Sequence, residues 1–80
     1  MPTRKEIERR NKRDARIANQ LETDAEELEV EANQLRSEGR DAEAVEVERH
    51  AANHRKAVTL IRDMLPIEYP DWFYDEEESA

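Results

Sequence analysis

Apolar side chains in the first half of the chain recur at alternating spacings of three and four residues. This spacing is that of a heptad repeat, in which one stripe of a helix packs against a second helix. Leucine fills one of the two heptad positions and alanine the other: Ala18, Leu21, Ala25, Leu28, Ala32 and Leu35. The pattern predicts one long helix over about residues 4–38, with Thr3 as its N-cap.

A second stripe with the same spacing follows the single glycine of the chain. Gly39 is typical of a helix C-terminal cap, and Asp41 is predicted to be the N-cap of the next helix. The stripe comprises Ala44, Val47, Ala51, His54, Val58, Ile61 and Leu65. Because Pro66 cannot continue a helix, the second helix is predicted over about residues 42–65.

The two predicted helices are joined by a turn at residues 39–41, which is short enough to require an antiparallel arrangement. Residues 1–66 are therefore expected to form an all-α, antiparallel two-helix hairpin of the coiled-coil type. The first helix is the longer one, so residues 3–14 are expected to extend past the end of the second.

The core of such a hairpin is small. The chain has 18 large apolar or aromatic side chains beyond the initiator methionine, and 42% of its residues are charged. A single core in a chain of this size contributes only a few kcal/mol. We therefore expect a homodimer, completed through a further apolar stripe that contains Leu60, Met64 and Val45.

The predicted tail, residues 67–80, has a different composition. Pro66 and Pro70 favour an extended chain, and four aromatic residues precede a group of acidic ones: Tyr69, Trp72, Phe73 and Tyr74. We expect the tail to fold back along the first helix beside Ile7 and Ile17, with Trp72 and Phe73 buried. The alternative is a free docking peptide, since Trp and Tyr are frequent interface anchors.

Residue types that carry enzyme chemistry are scarce. The absence of cysteine excludes disulfides and thiolate metal sites, and no Gly-rich loop is present to hold a phosphate. Glu46, His50 and His54 are spaced one helical turn apart, which suits metal ligands. His54, however, falls on the apolar stripe, where packing against the other helix is the more frequent role. We therefore expect no enzyme activity, no cofactor and no metal site.

The start of the sequence and its overall hydropathy bear on location. The first residues lack the apolar segment of a signal peptide, and no apolar run approaches the length that spans a membrane. We therefore expect a cytoplasmic protein, of a cell or of a virus-infected cell, with no membrane partner.

Charge is distributed along the chain in blocks. Residues 1–20 carry a net charge of +4, residues 21–48 of −9, residues 49–65 of +3 and residues 66–80 of −6. A dense acidic block around the turn favours association with a basic surface. We therefore expect a non-catalytic adaptor or inhibitor that presents this block to a basic partner protein, including a nucleic-acid-binding one. We call its residues the acidic tip: Glu22, Glu26, Glu29, Glu31, Asp41, Glu43, Glu46 and Glu48.

The first block offers the alternative of nucleic-acid binding. Its basic residues can contact a phosphate backbone: Arg4, Lys5, Arg9, Arg10, Lys12, Arg13 and Arg16. Over residues 4–16 the block resembles the arginine-rich helices of viral antitermination peptides, a resemblance that implies nucleic-acid binding. A second alternative is a structural coiled-coil assembly subunit, in which both charged blocks are only solvated faces.

Overall fold

The structure of the chain is a computed structural model that describes residues 1–75; the end of the predicted tail, residues 76–80, lies outside this range. Helix α1 covers Arg4–Ser37 and helix α2 covers Asp41–Met64. The helices pack side by side in opposite directions, so the predicted all-α, antiparallel hairpin is confirmed. The molecule is a rod with principal extents of 62 × 22 × 13 Å. In the described part, neither helix is long and apolar enough to cross a membrane.

Local hydrogen bonds define both ends of α1. The Thr3 side-chain oxygen accepts a hydrogen bond from the Glu6 backbone N–H at 3.2 Å, as an N-cap does. At the other end Gly39 has a φ of +76°, a left-handed conformation that glycine adopts without strain. This conformation lets the Arg40 N–H reach back to the Leu35 carbonyl at 2.9 Å. The turn therefore depends on the glycine.

The start of α2 differs from the prediction. Arg40 holds the N-cap position and makes no side-chain cap hydrogen bond there. Asp41 is the first helical residue, so the prediction that it is the N-cap is wrong. Its carboxylate nevertheless lies in the first turn of α2, where the helix dipole favours a negative charge.

The two helices meet mainly along the alanine positions of the heptad stripe, which we call the seam. Its buried members are Ala18, Ala25, Ala32, Leu35, Ala44, Ala51 and Val58. Alanine lets the two backbones approach closely, and helix spacing depends on the side chains at the contact. The longer Leu21 and Leu28 are therefore only half-buried at the edge of the interface. The core is thin and consists largely of methyl groups.

After α2 the chain turns back along α1. The Leu65–Pro66 peptide bond is cis. Ile67 hydrogen-bonds to the Asn11 side chain, and the Asp75 backbone N–H donates to the Pro2 carbonyl at 3.1 Å. The tail therefore runs antiparallel to the first turns of α1, with a short 3-10 helix at Asp71–Phe73.

The tail takes over from α2 as the partner of the seam. Asn11 lies one heptad before Ala18, while Ile7 and Arg4 lie two heptads before Leu21 and Ala18. All three residues therefore continue the seam into the part of α1 that α2 does not reach. Ile7, the apolar member of this part of the seam, is 4% exposed and lies beside the tail.

Candidate interaction surfaces

Ion pairs between α1 and α2 close one side of the hairpin. On each helix the residues that form these ion pairs are seven positions apart. The pairs therefore follow one flank of the seam. We call this side the ladder flank: Arg62 Nη1 lies 2.7 Å from Glu22 Oε2, Arg55 Nε 3.1 Å from Glu29 Oε2, and Arg36 Nη2 2.7 Å from Glu48 Oε1. Three residues of the acidic tip are therefore held by arginines of the same chain.

The ladder changes the proton affinity of its members. The hydrogen bond from Arg62 is the main cause that lowers the pKa of Glu22, and the bond from Arg55 does the same for Glu29. The pKa values of Arg55 and Arg62 are raised by the same contacts. Because these side chains lie at the surface, each pair stabilises the fold only modestly. Their heptad spacing makes the ladder a device that fixes the register of the two helices.

The other residues of the acidic tip are less constrained. Glu43 and Glu46 pair with Arg40 and Arg49 of the neighbouring turn. Within residues 1–75, the remaining three tip carboxylates make no ion pair: Glu26, Glu31 and Asp41. The eight carboxylates are therefore spread along the hairpin, from the turn to Glu22, which pairs with Arg62 near the end of α2. Only some of them are available without a competing arginine.

The side of the seam opposite the ladder, which we call the open flank, carries further carboxylates that the sequence analysis missed. Asp24 and Glu27 line a shallow hollow with Glu31, Leu28, His50 and His54. The heptad could have indicated that Asp24 lies on this flank with Glu31. Each of the two residues directly precedes a seam alanine, Ala25 or Ala32, so they occupy the same heptad position. No ion pair of the ladder type crosses this flank in the described residues.

The His54 side chain hydrogen-bonds to the backbone of its own helix, and the His50 side chain is exposed. His54 Nδ1 lies 2.8 Å from the His50 carbonyl oxygen, which can only accept, so Nδ1 carries the proton. In the part of the chain that the structure describes, no three His, Cys, Asp or Glu side chains form a group that could hold a metal ion.

The basic residues of α1 fall on different sides of the helix. Arg4 faces the tail, where it pairs with Asp71 and lies 4.3 Å from the ring centroid of Tyr74. Arg13 Nε lies 3.5 Å from Asp14 Oδ1.

Four basic residues at spacings of four, three and four form a row on the face opposite the seam, which we call the basic stripe: Lys5, Arg9, Lys12 and Arg16. All are exposed. For Arg9, Lys12 and Arg16 the described residues provide no hydrogen-bond or ion-pair partner. Residues 67–75, the described part of the tail, lie on the seam side and leave this stripe uncovered.

Asn11 fastens the tail to α1. Its side-chain Nδ2 donates to the Ile67 carbonyl at 3.0 Å, and its Oδ1 accepts from the Ile67 N–H at 3.1 Å. The amide thus satisfies both backbone groups of one extended residue, which no apolar seam residue can do. The Met1 amino group also lies 2.9 Å from an Asp75 carboxylate oxygen.

The four aromatic residues predicted to anchor the tail differ in their packing. Tyr69 and Phe73 stack with ring centroids 4.0 Å apart, and Tyr74 meets both rings edge-on. Phe73 is half-buried, but Trp72 is 78% exposed, so the prediction that Trp72 is buried is wrong. In the described residues the ring contacts of the tail join Tyr69, Phe73 and Tyr74 and do not include Trp72.

We call the packed rings of Tyr69, Phe73 and Tyr74 the aromatic group. This group, the basic stripe, the open flank and the acidic tip are the surfaces that the fold presents. No protein-family model, curated protein or solved structure matches the chain. What the chain binds must be argued from these surfaces.

Proposed function

We propose that the chain is a non-catalytic interaction module that presents its acidic tip to a basic surface of a partner protein. The observation that carries this proposal is the excess of carboxylates that remains at the turn end after internal pairing. Residues 21–62, which include both members of every ladder pair, contain eleven carboxylates and six Lys or Arg side chains, a net charge of −5. Such a surface attracts a basic one and orients it during approach.

The tip residues would contribute unequally. Glu26, Glu31 and Asp41 can bind a partner's Arg or Lys without losing an ion pair that the structure shows. Glu43 and Glu46 can exchange their exposed arginines for those of a partner, because an exposed ion pair contributes only about 0–1 kcal/mol. The ladder glutamates hold the two helices in register and would form the edge of the surface.

The chemistry of the tip also favours one kind of partner. Carboxylates carried on helices can occupy a groove that otherwise binds phosphates, because both groups accept hydrogen bonds from Arg and Lys. A protein with a nucleic-acid-binding groove would therefore be blocked by the tip. The chain would then act as an inhibitor.

Neutralising the unpaired tip carboxylates tests this function. The variant Glu26→Gln/Glu31→Gln/Asp41→Asn is expected to retain basic proteins from a lysate of the source cells at least about tenfold less than the unmodified chain. The partner retained by the unmodified chain is then purified and titrated with the variant by calorimetry at several salt concentrations. Its affinity for the unmodified chain should fall steeply with salt.

The matched control removes the same charge from the other end of the rod. Glu8→Gln/Asp63→Asn/Glu68→Gln changes three exposed carboxylates and should bind the purified partner as the unmodified chain does. Equal binding by the tip variant, the control and the unmodified chain would show that the tip is only a solvated face.

Nucleic-acid binding is the second candidate, favoured by the basic stripe. Arg9, Lys12 and Arg16 point away from the seam and from residues 67–75 of the tail, and their charges are not offset by ion pairs in the described residues. From Lys5 to Arg16 the stripe is about 16 Å long at the helical rise. That length is sufficient to follow several phosphates along one strand.

Two matched double variants test this candidate by fluorescence anisotropy with a labelled duplex DNA and a labelled single-stranded RNA. Arg9→Gln/Arg16→Gln removes two charges seven residues apart from α1, and Arg49→Gln/Lys56→Gln removes two with the same spacing from α2. If the stripe binds phosphates, the first variant should reduce the slope of log affinity against log salt by about 2, and the second should not. Equal slopes for both variants, or no binding by the unmodified chain at low salt, would reject the candidate.

A further inference from the structure

Apolar side chains are exposed on the open flank, in the half of the hairpin farther from the turn. Heptad positions place them there, because Ile17 precedes Ala18 by one residue and Ala57 precedes Val58 by one, on the side away from the ladder. Ile17, Leu60 and Met64 are 44%, 65% and 63% exposed. We call these three residues, together with their half-buried neighbours Leu21, Ala57 and Ile61, the apolar patch.

Charges of opposite sign stand on the two sides of this patch along α1. Arg10 and Arg13 lie toward the N-terminal end, and Asp24 and Glu27 lie toward the turn. Arg10, Ile17 and Asp24 are seven residues apart, so they share one row of the helix, with the two charges about 10 Å on either side of the isoleucine.

These charges are available for an external partner. Within the described residues Arg10 and Glu27 make no ion pair. Arg13 has only a 3.5 Å contact with Asp14, and Asp24 accepts a hydrogen bond from the uncharged Gln20. Binding a partner here would therefore disrupt no ladder pair.

We propose that the open flank binds a second copy of this chain in an antiparallel, twofold-symmetric dimer. With the twofold axis near Ile17, every contact between the copies occurs twice. Arg10 and Arg13 of each copy then meet Asp24 and Glu27 of the other, and the two apolar patches meet at the axis.

The order of the charges selects this arrangement. In a parallel pair Arg10 would face Arg10 and Asp24 would face Asp24, and like charges across an interface repel. A basic partner would be repelled by the arginines of the flank, and an acidic partner by its carboxylates. A second, inverted copy matches both groups.

The thin core gives the second copy an energetic role. Five of the eight buried residues in the described part are alanines, so the hairpin buries little apolar area by itself. Burying the apolar patch of each copy adds buried apolar area, and this area stabilises a chain whose own core is small. The dimer is an inference separate from the proposed function. It leaves both the basic stripe and Asp41 uncovered.

Charge reversal tests the dimer by sedimentation velocity and light scattering. Arg10→Glu/Arg13→Glu and Asp24→Arg/Glu27→Arg are each expected to raise the dimer dissociation constant at least about tenfold, because attraction becomes repulsion at both ends. Mixing the two variants should give a heterodimer. The variant with all four substitutions should form homodimers again, which only the antiparallel arrangement allows.

Glutamine substitution of exposed apolar residues gives an independent test that leaves the charges unchanged. Leu60→Gln/Met64→Gln removes two members of the patch and should give a monomer with full helicity by circular dichroism. The control Val30→Gln/Val45→Gln removes two exposed apolar residues outside the open flank and should remain dimeric.

Three results would overturn the proposal. The first is an unmodified chain that is monomeric and fully helical up to about 100 μM. The second is a folded, monomeric four-substitution variant. The third is a dimer that the valine control breaks and the Leu60 and Met64 variant does not, since the interface would then lie outside the open flank.

Discussion

Replacing Ala51 by leucine is expected to destabilise the hairpin by about 1–3 kcal/mol, the usual cost of inserting a larger side chain into a packed site. Ala51 is 2% exposed and lies on the seam, where α2 packs against α1. The larger side chain must push the helices apart and loosen the neighbouring alanine contacts. In a chain of this size the melting temperature, measured by circular dichroism, should fall on the order of 10 °C.

The adjacent residue provides the control for this experiment. Ala52 is exposed on the outer face of α2, so Ala52→Leu makes the same chemical change with almost the same effect on helix propensity. Its melting temperature should stay close to that of the unmodified chain. Equal melting temperatures for the two variants would mean that the helices are not closely packed at the seam.

Replacing Asn11 by alanine is expected to release the tail. The substitution removes both hydrogen bonds to Ile67 and leaves the partly buried backbone groups of that residue without partners, at a cost of about 1–3 kcal/mol. Hydrogen exchange measured by NMR should show faster exchange of the Ile67 and Asp75 amides, while the amides of the seam remain protected.

Asn33→Ala is the matched control for the tail. Asn33 is exposed on α1, so its replacement changes helix propensity in the same way without touching the tail. The Ile67 and Asp75 amides should exchange at the original rate in this variant. Unchanged exchange in the Asn11 variant as well would show that the aromatic group and Arg4 hold the tail without the amide.

The heptad spacing predicted the hairpin because it depends only on which residues are apolar and how far apart they are. It did not predict that alanine would be more deeply buried than Leu21 and Leu28. Burial at a seam depends on the distance between the helix axes, and that distance is set jointly by both helices. A sequence pattern in one helix does not contain it.

The heptad stripe predicted from the sequence began at Ala18 and was not followed upstream, for a different reason. Asn11 and Arg4 are polar residues at heptad positions that are apolar when the partner is a helix. A helical partner has no free backbone groups for such side chains to bind. The actual partner is an extended segment, which needs side chains that hydrogen-bond and pair with its charges. The polar residues of the seam therefore marked the position where the partner changes.

The acidic tip was only partly resolved by sequence. The glutamates were visible, but which of them meet arginines depends on the register of the hairpin. Glu22, Glu29 and Glu48 are matched by Arg62, Arg55 and Arg36 in a single register. A shift by one helical turn would have matched a different set, so the available carboxylates could be identified only with the helices in place.

The antiparallel path of residues 67–75 makes the described part of the chain one long hairpin, in which Pro2 and Asp75 lie side by side. A force that pulls Pro2 and Asp75 apart meets their hydrogen bond first, then the Arg4–Asp71 pair, then the Asn11 amide, and only afterwards the seam. The contacts would break one after another, because the force acts on one contact at a time. In a shear geometry, by contrast, all of them would bear the force together. The tail is therefore a mechanical latch that must open before tension reaches the helices.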